Sequence, residues 1–154
     1  MNRFVNRNFA LRQLVFGLIV FGMAGLLVEL ILLEHYDGWR QWIPLVLLAL
    51  GLIDVGVVFR RTTPGTLKGF RVLMALYVVI GGLGLWFHLS GNMEFALERD
   101  ATLTGVRLLL KSVHGGTPIL APGALTQLGL LGLAFAFRHP ALGGASATRG
   151  ADGE

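Results

Sequence analysis

The stretch Leu14–Leu33, LVFGLIVFGMAGLLVELILL, decides the fold, because Glu29 is the one charged residue in it. A helix rises about 1.5 Å per residue, so this run is about 30 Å long, the thickness of a bilayer's hydrocarbon core. Three further apolar runs follow, at Trp42–Phe59, Val72–Leu89 and Ile119–Phe137, with short charged stretches between them. In lipid the backbone must satisfy its own hydrogen bonds, and apolar runs of this length do so as helices. The expected fold is all-α: a four-helix transmembrane bundle with short interfacial helices on its outer side. One transmembrane domain is expected over 1–140, and a disordered cytoplasmic tail over 141–154.

Composition agrees. The 154 residues are 54% hydrophobic and 14% charged, with a mean hydropathy of +0.68. That is too apolar for an ordinary soluble domain. The chain has no cysteine, which excludes disulfides and thiolate chemistry. Its net charge of +4 sits in residues that flank the apolar runs, where it meets lipid headgroups. The bilayer is therefore the expected partner, and nucleic acid is not. The opening Met1-Asn-Arg-Phe-Val-Asn-Arg imitates a signal peptide. The run after it is too long for an h-region and no A-x-A-like site follows, so a retained first span is expected.

Basic residues give an orientation. Arg3, Arg7, Arg12, Arg60, Arg61, Lys68, Arg71, Arg138 and Arg149 share one side; Arg40, Arg99, Arg107 and Lys111 share the other. The positive-inside rule places the first group, with both termini, in the cytoplasm. Tyr36, Trp39, Trp42 and Trp86 then mark the outer interface. Pro44 is expected in the first turn of the second span, where a missing N–H costs nothing. On the outer side, Ser90-Gly-Asn reads as a helix break, and Thr104 as the cap of a short surface helix reaching Lys111.

Ionisable residues inside spans are costly and ask for partners. Glu29 follows Gly22 by seven positions, and His88 follows Gly81 by seven, so each stands on a glycine face suited to helix packing. The two are expected to meet beneath the outer surface, with Glu34, His35, Glu94, Glu98 and His114 around them. Such a pocket suits a divalent metal, a proton-handling group, or a haem or quinone held near His88. The plainer reading is a structural Glu29–His88 hydrogen bond, with no resident cofactor. There is no H-x-x-x-H or H-E-x-x-H spacing to favour a metal. Asp54, the other buried acid, is expected to pair with Arg61 or Arg12. Gln127 and Thr126 read as polar contacts between helices, and Gly129, Gly132 and Ala136 as a packing face.

Three segments carry a resemblance: Leu32-Leu-Glu-His-Tyr-Asp-Gly-Trp-Arg-Gln-Trp-Ile-Pro, His88-Leu-Ser-Gly-Asn-Met-Glu-Phe-Ala-Leu-Glu and Leu120-Ala-Pro-Gly-Ala-Leu-Thr-Gln-Leu-Gly. With them most of the chain resembles a family of small bacterial four-span inner-membrane proteins of unestablished function. The resemblance implies location and span number, and brings no activity or catalytic residue. The functional expectation is a non-enzymatic accessory or binding subunit of a membrane complex, with a membrane-protein partner or a second copy of itself. The alternatives are metal-ion or proton transport or sensing through the outer Glu/His pocket, and a small redox subunit.

Overall fold

The computed structural model describes residues 2–116 and 118–143, with side chains from Phe9 onward. Helices run in the order α1 (Asn2–Leu32), α2 (Trp39–Arg60), α3 (Pro64–Arg99), α4 (Gly105–Val113), α5 (Leu120–Ala136) and α6 (Pro140–Gly143). Together they form an all-α bundle. Three of them, α1 (over Phe9–Leu32), α2 and α3, are long and apolar enough to cross a membrane; α5 is apolar and shorter, at 17 residues. Large side chains such as Phe21, Ile53, Val72 and Leu130 face outward, as expected of helices whose solvent is lipid. This is a membrane protein.

The helix ends are set locally. At α3, Thr63 accepts a hydrogen bond from the Thr66 N–H at 3.2 Å, and the Thr66 hydroxyl accepts from the Thr63 N–H at 2.9 Å. Pro64 follows as first helical residue, its fixed φ already helical. At α2 the Gln41 side chain reaches back to accept the Gly38 N–H at 3.0 Å. This helix starts at Trp39, so Pro44 lies in its second turn rather than its first. There the ring removes the N–H that would have bonded the Arg40 carbonyl.

α3 is the spine of the bundle. Tyr77, Phe70, Met74 and Leu67 are fully buried, packed with Ile19 and Met23 of α1 and Leu48 of α2. The Tyr77 hydroxyl donates to the Leu47 carbonyl at 2.9 Å and so ties α3 to α2. Glycines let α5 lie directly on α3: a Cβ on Gly129 would stand 2.6 Å from the Met74 carbonyl oxygen, and one on Gly81 2.8 Å from that of Pro122. The expected small-residue faces are therefore packing faces inside the bundle. Gly22 packs against Leu128 of α5, whereas Gly25 has open space beside it.

Two expectations about the connections change. Ser90-Gly-Asn does not end α3, which continues unbroken to Arg99. A helical glycine costs about 1 kcal/mol relative to alanine, and tertiary contact easily overrides that. Here Asn92 is buried and its Nδ2 donates to the Ser112 carbonyl of α4 at 3.0 Å. Consequently one short helix, α4, lies beside the extended end of α3. Thr104 occupies the N-cap of α4 but makes no side-chain capping bond. At the tail, α6 takes in the residues up to Gly143, and 144–154 lie outside the described residues.

Candidate functional site

α1 ends at Leu32 in a turn that aims one side chain back into the bundle. Glu34 adopts φ +52, the left-handed conformation that commonly closes a helix. The His35 N–H then donates to the Leu30 carbonyl at 2.9 Å, and the chain doubles back. As a result the His35 ring lies 6.3 Å from that of His88 on α3, centre to centre. The His88 Nδ1 is buried with no hydrogen-bond partner among the described residues. Burial pushes the affinity of His35 for a proton below the ordinary imidazole level, and nearby His88 lowers it further.

This pair stands on the wall of a cavity of about 920 Å³ between α1, α2, α3 and the start of α5. Small-molecule sites are commonly ~300–1,000 Å³. Its floor is apolar, made by Leu26, Leu30, Ile80 and Leu125. The mouth is polar, with Arg40, Gln41, Ser90 and Glu94. The Arg40 guanidinium is held 5.5 Å from the Trp39 ring centre and 5.6 Å from that of Phe87. It has no carboxylate partner among the described residues, and Glu94 has no cationic partner among them.

The structure brings together His35, His88 and Glu94 of the expected pocket residues. It leaves out Glu29, which is exposed, lies off the cavity and makes no hydrogen bond to His88. Seven-residue spacing placed Glu29 correctly in line with Gly22, but the buried stripe of α1 at this level is Leu26 and Leu30. Glu34, Glu98 and His114 are also exposed and away from the cavity. Glu34 serves the backbone turn instead, and the His114 Nδ1 bonds its own helix at the Leu110 carbonyl, 2.9 Å away. Among the described residues no three His, Asp or Glu side chains group to hold a metal ion.

Neither expected partner of Asp54 pairs with it among the described residues. Arg12 donates to the carbonyls of Phe135, Phe137 and Arg138 at 2.6, 3.1 and 3.2 Å, satisfying the open end of α5. Arg61 is exposed, with no ion pair among the described residues. The Asp54 Oδ2 is left buried without a hydrogen bond, near Tyr77. Sequence reasoning missed Arg40, Trp39, Gln41 and Asn92 as site or supporting residues. The available signal was their clustering at the same ends of successive spans as His35 and His88. Comparison with family models, with curated proteins and with solved structures finds no match.

Proposed function

We propose that the protein crosses a bacterial inner membrane four times, with both ends in the cytoplasm. In this reading it is a non-enzymatic binding module, the accessory part of a membrane complex, whose cavity takes an amphipathic molecule from the outer leaflet. The 17 residues of α5 reach about 25 Å, within the range of a tilted or slightly thinned crossing. The distribution of lysine and arginine supports the orientation. One observation carries the ligand reading: a cavity with an apolar floor and a polar, aromatic-framed mouth at one end of the bundle. Such a shape matches a molecule with a chain and a head, and offers water little on its floor.

Gly91 provides the test, since it lines the cavity and has open space beside it. Gly91→Trp fills the mouth without a backbone clash. Mass spectrometry of the protein released from a gentle detergent should find a bound amphiphile on the wild type and none on Gly91→Trp, at equal thermal stability. An unchanged bound complement would contradict the reading.

A second reading, a haem or quinone site, is favoured by the His35–His88 pair on the cavity wall. Two imidazoles suit axial haem ligation, and one N–H suits a quinone carbonyl. Added haem giving a Soret band that His88→Ala removes would support it; no spectral change with haem and no binding of a ubiquinone analogue would remove it.

A further inference from the structure

We propose that the head of the bound amphiphile is zwitterionic: an ammonium and a phosphate on one lipid, as in phosphatidylethanolamine. This rests on the amphiphile reading above. The cavity mouth carries one cation, Arg40, and one carboxylate, Glu94, and neither is paired within the described residues. Ile80, Phe87 and Glu94 all line the cavity at seven-residue spacing, so one face of α3 forms a continuous wall from floor to mouth. Arg40 sits level with Phe87, whose ring it touches. Glu94 stands two turns, about 10 Å, further along the same face. Side chains on a helix lean toward its N-terminus, which from Glu94 is the direction of Phe87 and Arg40.

A phosphate at Arg40 with an ammonium toward Glu94 leaves no charge at the mouth unanswered. A purely anionic head meets Arg40 but also faces the like charge of Glu94, and a neutral head leaves both charges unmatched. His35 and His88 share the wall. The low proton affinity of His35 keeps it neutral at physiological pH, so it adds no positive charge favouring an anion. The cation–π frame of Trp39 and Phe87 holds the guanidinium ready, which reduces the ordering cost of binding.

The experiment is native mass spectrometry of the full chain in detergent, titrated with phosphatidylethanolamine, phosphatidylglycerol and diacylglycerol of matched acyl chains. The wild type should prefer phosphatidylethanolamine over the other two by about tenfold. Glu94→Gln should keep binding but lose the preference over phosphatidylglycerol. Arg40→Gln should weaken both phospholipids and leave diacylglycerol unchanged. Equal binding of all three lipids to the wild type overturns the zwitterion proposal and leaves the amphiphile cavity standing. Preference unaltered by Glu94→Gln also overturns it. Binding of none of the three overturns the amphiphile reading itself.

Discussion

His35, in the turn after α1, faces His88 of α3 at 6.3 Å between ring centres, although 53 positions separate them in the chain. Burial first, and the neighbouring imidazole second, hold the proton affinity of His35 below the ordinary value of 6.5. On acidification the unfolded chain therefore takes this proton before the folded one does. Stability from this group is complete above about pH 6.5 and falls as pH drops through the lower, folded value. Thermal unfolding in detergent between pH 7.5 and 5 should show that loss, and His35→Gln should lessen it. In ring NMR titrations, His88→Gln should move the His35 midpoint upward. An unmoved midpoint would deny the contact.

Adjacent glycines give a matched pair. A Cβ at Gly81 would stand 2.7 Å from the Thr126 backbone nitrogen, whereas one at Gly82 meets nothing within 4 Å. Gly81→Ala must push α5 off α3 and should cost about 1–3 kcal/mol. Gly82→Ala should be neutral or mildly stabilising, since alanine is the better helix former. Equal effects in detergent unfolding would contradict the close α3–α5 approach.

Arg12 and Asp54 do not share an interaction, because Arg12 spends its donors on the α5 carbonyls. Arg12→Gln should destabilise by about 1–3 kcal/mol through carbonyls left unsatisfied. Combined with Asp54→Asn, its cost should add to within about 0.5 kcal/mol. A larger coupling energy in the double-mutant cycle would restore the ion pair that sequence reasoning expected.

Glu34 holds φ +52 to close α1. Glycine takes that conformation without the penalty a Cβ brings, so Glu34→Gly should stabilise the protein by up to ~1 kcal/mol. Because the carboxylate is exposed and off the cavity, ligand binding should not change. Raised unfolding temperature with intact lipid binding is the expected result; lowered stability would mean that the side chain matters.

What the sequence made legible, and what it did not, divides along a physical line. Length and hydropathy placed the apolar centres of α1, α2, α3 and α5, since lipid leaves the backbone few other choices. Thr104 through Lys111 was readable as a short helix, observed as Gly105–Val113, because its apolar residues recur at helical spacing. Gly22, Gly81, Gly129 and Gly132 announced close packing for the same reason. Which polar side chain meets which was not readable. His88 finds His35 rather than Glu29 because a left-handed residue reverses the chain after α1, a backbone event that glutamate does not announce. Ser90-Gly-Asn stays helical where the sequence reads a break, and the contact made at its end, between Asn92 and Ser112 of α4, is a tertiary fact.

The central claim is a bundle of four crossings with the His35 cavity facing outward, and residue accessibility in intact cells tests it most directly. The chain has no cysteine of its own, so single replacements at Asp37, Gly65, Asp100 and Ser146 report without background. A membrane-impermeant maleimide added to whole cells should label Asp37→Cys and Asp100→Cys. Gly65→Cys and Ser146→Cys should react only after the cells are broken open. Labelling of Ser146→Cys from outside would mean three crossings, and labelling of Gly65→Cys from outside would invert the cavity; either result contradicts the account.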